Sequence, residues 1–376
     1  MVLGYRVRDR INLLMTPGPV EVSPRVLAAL AAPQIYHYYP GFIEFFADTV
    51  DKVKRVFQTK HDVIVMQGEG VLGLEAAVAN ILNPGDKVLV CDSGPFGKWF
   101  RVYVENYDGV AVEASVDPRE VMDVELVKKV MDEHKDLKAL TIVHCETPCG
   151  TLNPIGEICR EAKKRGLITI VDAVASLGGV DVRPDEWRID ICISASQKCI
   201  SSTAGLTLMS VSEEAWEAME SKKKPLRNSY LSILDYKDTW LKQKRFPFTP
   251  FVAEVYALNE ALSELLEEGL EQSFKRHRAA AELCRKYVRE MGLTLWPNKE
   301  EYASNTVTAL EVPAKYSDKT IVEHMAEKYG VLIGGGYGET KGKVLRIGHM
   351  GYQATEANVI ATMEVLRLTL RDLGWL

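Results

Sequence analysis

Two residues at the ends of apolar stretches carry types that could do chemistry together. The stretch LITIVDAVASLGG places Asp172 at a strand end, and SASQKC places Lys198 just after a second apolar run, 26 residues on. Open α/β sheets build their ligand crevice at such ends. A lysine there offers an amine to a carbonyl compound, and a carboxylate can hold a ring nitrogen protonated. Upstream, Gly68-Glu69-Gly70-Val71-Leu72-Gly73 follows the strand-like DVIVM and opens a helical run, where backbone amides can receive a phosphate. Amine, carboxylate and phosphate cradle on one sheet edge are together what pyridoxal phosphate requires. Each part also has a plainer reading, with Asp172 as a helix cap and Lys198 as a solvated loop residue. The glycine run, followed by Asp92 about 20 residues on, can also be taken as a G-x-G-x-x-G dinucleotide fingerprint, so a nicotinamide or flavin oxidoreductase stays open at this point.

The elements that must position these residues alternate along the chain. Between about residues 60 and 210, short β-rich runs such as KVLVCDS, VAVEASV, LKALTIVHCE and DICISAS take turns with helical patterns. This order predicts a largely parallel α/β sheet with helices on both faces, and the nearly continuous apolar runs fit strands buried on both sides. Residues 213–250 are polar, are punctuated by Pro225, Pro247 and Pro250, and read as a connecting region. From Phe251 a long amphipathic pattern leads into the strands TVTALEV, VLIGG and KVLRIGHM and a closing helix from about Glu356. The expected organisation is an N-terminal arm over residues 1–20, a large domain over 21–250 and a smaller C-terminal α+β domain over 251–376. A chain of 376 residues is long enough for two cores.

Lys and Arg number 46 against 52 Asp and Glu, a net charge of −6, which argues against nucleic acid as a partner. No run of about 18 apolar residues occurs, so no ordinary membrane span is predicted. Seven cysteines, odd in number and mostly set in apolar runs, predict reduced, buried thiols and a cytoplasmic protein. His144, Cys145, Glu146 and Cys149 crowd together, but strand alternation sends neighbouring side chains to opposite faces and no further pair has zinc spacing. No metal is predicted.

Six segments run in order along nearly the whole chain: TPGPVEVSPRV (16–26), GEGVLGLEAA (68–77), HCETPCGTLNP (144–154), VDAVASLGG (171–179), SASQKCISSTAG (194–205) and GKVLRIGHMG (342–351). On these the chain resembles the class V aminotransferases, most closely the alanine:glyoxylate and serine:pyruvate group. The resemblance implies an α/β chain of the PLP-dependent transferase fold type I, with a mainly parallel seven-stranded sheet, working as a homodimer with shared active sites. It implies that Lys198 binds pyridoxal 5'-phosphate as a Schiff base and moves the proton at the donor's Cα, while Asp172 pairs with the pyridinium nitrogen. Phe96 and Val174 would cover the two faces of the ring, and Thr147 would contact it near the phenolic oxygen. The amides of Glu69, Gly70 and Val71, with Gln197 and the partner subunit's Thr249, would hold the phosphate.

On the substrate side, Arg346 would clamp the carboxylate and Gly18 would lie in an N-terminal turn that closes over it, while Tyr36, His37 and Tyr38 read equally as pocket walls or as core packing. The arm before Met15 would cross the partner. Two positions depart from the family pattern. Glu69 stands where many relatives have a small hydroxyl residue, so its amide alone suits a phosphate, and Phe246 stands where relatives often present a phosphate-binding tyrosine and cannot donate a hydrogen bond. The implied reaction moves an amino group from alanine or serine to glyoxylate or pyruvate, because no second arginine has a comparable claim on a side-chain carboxylate. Broad or aspartate-directed specificity is the alternative within the family.

Overall fold

The computed structural model describes residues 11–376. Strand β1 (Leu13–Met15) belongs to the smaller of two main sheets. The larger is built from β2 (Asp62–Gln67), β3 (Lys87–Asp92), β4 (Val110–Ser115) and β5 (Leu137–Val143), and, after the short hairpin of β6 (Cys145–Glu146) and β7 (Thr151–Leu152), from β8 (Ile168–Asp172), β9 (Ile191–Ala195) and β10 (Leu206–Val211). Its order is β2-β10-β9-β8-β5-β3-β4, and every pairing is parallel except the two made by β10. This is the expected mainly parallel seven-stranded sheet.

Two-sided burial explains the continuous apolar runs. Val63 and Val65 of β2 enter one core with Leu89 and Cys91 of β3, while Ile64, Met66, Val88 and Val90 enter the other. The period of two in side-chain direction thus gives each face its own set, and neither face can be polar. The helices Gly70–Ile81 and Pro95–Asn106 cover the second face through Leu74, Val78, Phe100 and Val104.

The smaller sheet has the order β1-β12-β13-β11, from β11 (Val307–Glu311), β12 (Val331–Gly335) and β13 (Val344–Gly348). Helices Leu270–Glu290, Asp318–Tyr329 and Glu356–Asp372 share its core through Cys284, Met325 and Met363. The middle helix is bounded as its sequence dictates. Ser317 caps it by accepting from the Thr320 amide at 3.1 Å, and Gly330 ends it at φ +70°.

Three expectations change. The amphipathic run from Phe251 is two helices, Val252–Glu268 and Leu270–Glu290, broken at Gly269 with φ +85°. The first buries Val255, Leu258 and Leu262 in the core that contains Phe42, Phe46 and Val50 of the large domain, so we place the start of the small domain after Glu268 rather than at residue 251. Within 213–250, the helix Glu213–Glu220 and the turn Ile233–Tyr236 send Trp216 and Tyr236 into the large core, so this segment is a layer of the domain and not a bare connection. In the arm, Leu13–Met15 pairs in parallel with Val331, Leu332 and Ile333 of the same chain. The part of the expected partner-crossing arm within residues 1–10 lies outside the described residues.

Candidate active site

Asp172 ends β8, and Lys198 lies in the turn that follows the neighbouring strand β9. Parallel pairing of these strands brings their C-terminal ends to one edge, where the N-terminus of the helix Gly70–Ile81 also opens. Between them lies a cavity of about 320 Å³, within the size range of small-molecule sites. Glu69, Gly70, Val71 and Gln197 line its corner at the helix start, and Phe96, Thr147, Asp172, Val174 and Lys198 line the rest together with Gly18.

Lys198 Nζ donates to the Pro17 carbonyl at 2.7 Å. Gly18 follows with φ +106°, and a Cβ there would fall 2.4 Å from Lys198 Nζ, so the N-terminal turn approaches the amine only because this residue lacks a side chain. Asp172 Oδ1 accepts from the Val174 amide at 2.8 Å, which fixes the carboxylate beneath the cavity. The other residues expected at the site lie elsewhere. Arg346 on β13 does not line this cavity; its Nε donates to the Gly335 carbonyl at 2.6 Å, and its neighbour Gly334 packs so closely on Pro17 that a Cβ would meet the proline ring at 2.8 Å. Thr249 is exposed and outside the cavity of its own chain, its carbonyl accepting from the Gln67 side chain.

The sequence model of the class-V aminotransferases matches residues 26–359. The chain belongs to that family. It is 40% identical to an uncharacterized aminotransferase of Methanocaldococcus jannaschii, over 97% of this chain and 94% of that protein. It is 37% identical to the pyridoxamine–pyruvate transaminase of Mesorhizobium japonicum, over 94% and 90% respectively. Among solved structures, an alanine–glyoxylate aminotransferase from Nostoc superposes with a TM-score of 0.92 at 29% identity, covering 96% of this chain and 95% of that one. The protein is therefore a pyridoxal-phosphate-dependent aminotransferase, and the dinucleotide reading gives way. In this aminotransferase Gly73 serves packing, since a Cβ would meet Thr207 Cγ2 at 2.5 Å, and Asp92 accepts from the Gly94 amide at 3.1 Å.

The residues present fit the cofactor. The helix Gly70–Ile81 opens on the cavity with no side chain capping its first amides, an arrangement that suits an anion, and the amine and carboxylate that the ring needs line the same cavity. Burial raises the Asp172 carboxyl to about 7, with the Val174 amide and Lys198 opposing the rise and Glu69 adding to it. A protonated ring nitrogen beside it would supply the missing positive partner. Burial also depresses the Lys198 amine, the Arg346 charge depresses it further, and Asp172 opposes both. Arg346 itself is lowered by burial to about 10 and stays charged at neutral pH.

The remaining positions singled out in the sequence lie as follows. Phe246 packs in a core of aromatics, 4.9 Å from Phe46 and 5.4 Å from Trp240, which makes it a packing residue rather than a phosphate arm. Tyr36 and Tyr38 are exposed beside it and do not wall the cavity of their own chain, and neither does His37. His144 Nδ1 pairs with Ser176 at 2.9 Å and Cys145 Sγ with Ser304 at 3.1 Å, so these side chains have partners of their own. Glu146, weighed in the sequence only as a metal ligand, is fully buried and accepts from the amides of Gly97 at 2.6 Å and Phe96 at 3.3 Å. It anchors the helix start that carries Phe96. Burial raises its carboxyl to about 8. No local signal reveals that contact, because it joins residues about 50 positions apart.

Proposed function

We propose that this aminotransferase moves the amino group of a small monocarboxylic amino acid, alanine or serine, to glyoxylate or pyruvate. The observation that carries this reading is the placement of one arginine beside the turn that holds the amine: a Cβ on Gly334 would meet Pro17 Cδ at 2.8 Å and Arg346 Cβ at 3.5 Å, and the Pro17 carbonyl accepts from Lys198 Nζ. A planar guanidinium grips a carboxylate with two parallel hydrogen bonds and places the donor's Cα at the lysine amine. A dicarboxylic donor would bring a second desolvated charge for which the cavity wall, with Glu69 and Asp172 as its carboxylates, offers no cation besides Lys198 among the described residues. Pyridoxal phosphate, when bound, supplies a ring that withdraws electrons from the donor's Cα. Lys198 Nζ, whose hold on a proton burial weakens, would move the proton between that carbon and the cofactor's C4′, in opposite directions in the two halves of the cycle. Asp172 holds the ring nitrogen protonated, and the turn at Gly18 closes over the amine and excludes water.

Free pyridoxamine is a second donor that Glu69 favours. On this second reading its carboxylate, which stands at the N-terminus of the helix Gly70–Ile81 and accepts from Gln197 Nε2 at 3.3 Å, takes the place of a phosphate on the ring, whereas on the first reading only the Glu69 amide faces the phosphate. A relative named for pyridoxamine and pyruvate at 37% identity supports the same reading. Steady-state kinetics with alanine, serine, aspartate and pyridoxamine against glyoxylate and pyruvate tests both. Faster turnover with aspartate than with alanine would end the first reading, and no turnover of pyridoxamine would end the second.

We further propose a homodimer in which the partner subunit's Thr249 completes each phosphate corner. The exposed position of Thr249 and the exposed aromatics Tyr36, Tyr38 and Tyr230 support it. Seven free, buried cysteines support a cytoplasmic location, and among the described residues no helix is long and apolar enough to cross a membrane.

A further inference from the structure

We propose that Tyr337 is the residue that sets which donor side chains the site accepts. This rests on the reading of Arg346 as the carboxylate clamp. The Tyr337 ring stacks on Phe96 with centroids 5.9 Å apart and planes at 15°, and it meets Trp99 edge-on at 6.3 Å. Phe96 lines the cavity, so Tyr337 extends the same aromatic wall outward. It also lies two residues beyond Gly335, whose carbonyl holds Arg346 Nε at 2.6 Å. One loop therefore touches both the clamp and the wall. A donor anchored on Arg346 with its Cα at Lys198 presents its side chain to this wall.

The loop is pinned in place. Asp318 Oδ2 accepts from the amides of Gly336 at 2.8 Å and Gly342 at 3.1 Å, closing its two ends. Thr340 Oγ1 accepts from the Tyr337 amide and donates to the Tyr337 carbonyl, both at 2.9 Å. Glu339 forms an ion pair with Lys98, and Gly338, at φ +58°, passes so near the helix Pro95–Asn106 that a Cβ would lie 3.1 Å from Pro95 Cγ. Yet Tyr337 is 41% exposed, so the loop is not built to bury it. An exposed ring held at a fixed distance over a cavity wall limits the size of what passes beneath it. One methylene in such a pocket commonly changes selectivity by about 10- to 200-fold.

The test uses holoenzyme and two amino acids without an α-hydrogen, 2-aminoisobutyrate and α-methylphenylalanine, which bind without turning over. Calorimetry gives the ratio of their dissociation constants, bulky over small. Tyr337→Ala should lower that ratio at least tenfold, and Tyr337→Phe should leave it within about twofold, because the ring and not the hydroxyl is the wall. The same Tyr337→Ala variant should raise kcat/KM for phenylalanine relative to alanine in parallel. An unchanged ratio in Tyr337→Ala, or an equal loss for both ligands, would overturn the proposal while leaving the Arg346 clamp standing. If the unaltered holoenzyme bound neither ligand, the clamp reading would fall and this proposal with it.

Discussion

Lys198 Nζ lies 2.7 Å from the carbonyl oxygen of Pro17, a residue of the N-terminal turn 181 positions earlier in the chain. The turn reaches the amine because Gly18 offers no Cβ and tolerates φ +106°. Gly18→Ala places a methyl group at about the position the amine occupies and also strains the backbone. It should lower kcat at least tenfold and weaken cofactor retention on gel filtration, with the fold unchanged by circular dichroism. Wild-type kinetics in that variant would show that the turn does not govern the lysine.

The buried Asp172 makes the cofactor-free protein pH-sensitive. Its carboxyl is raised to about 7 from 3.8 in the unfolded chain, so between these values the folded state holds a proton that the unfolded chain releases. Stability therefore falls as pH rises through this window, by at most about 4 kcal/mol. Glu146 contributes in the same direction up to about pH 8, so the comparison must be made against a variant. Asp172→Asn keeps an acceptor for the Val174 amide but cannot ionise. In urea unfolding, the cofactor-free variant should gain on wild type at pH 8 relative to pH 5, even though transamination is lost. An equal difference at both pH values would contradict the assigned burial cost.

Arg346→Ala should depress kcat/KM for alanine by two to three orders of magnitude, from stranding a carboxylate at a cost of about 3–4 kcal/mol. Cofactor affinity should change little, because Arg346 lies outside the cofactor cavity and is held by Gly335. Unaltered alanine kinetics would remove Arg346 from substrate binding.

If Thr249 serves the neighbour's site, two inactive chains can make one active site. Lys198→Ala and Thr249→Ala homodimers should each be strongly impaired, and a mixture after verified subunit exchange should recover activity. A mixture that stays inactive, with Thr249→Ala itself impaired, would place Thr249 in its own chain's function.

Asp172 and Lys198 were legible because their strands are short, apolar and bounded, so strand ends could be located from the residues themselves. The large sheet was legible for the same reason. Periodicity shows that a helix has an apolar face but not which core receives it, and this is why Val255, Leu258 and Leu262 were assigned to the wrong domain. The apolar spacing continues on both sides of Gly269 and so hides the break it makes between the two helices. The pairing of Leu13 with Val331 and the stacking of Phe96 on Tyr337 join segments hundreds of residues apart, and no local pattern encodes such contacts. Phe246 sat at a position defined by resemblance, and only its surroundings of Phe46 and Trp240 reveal a packing role.

Borohydride trapping with peptide mapping tests the central claim most directly. Holoenzyme reduced in the absence of substrate should carry a pyridoxyl label on the peptide containing Lys198, and incubation with excess alanine before reduction should remove most of that label, because the amino group has moved and the lysine is free. A label on another lysine, or a Lys198 label that alanine leaves undiminished, would contradict the account.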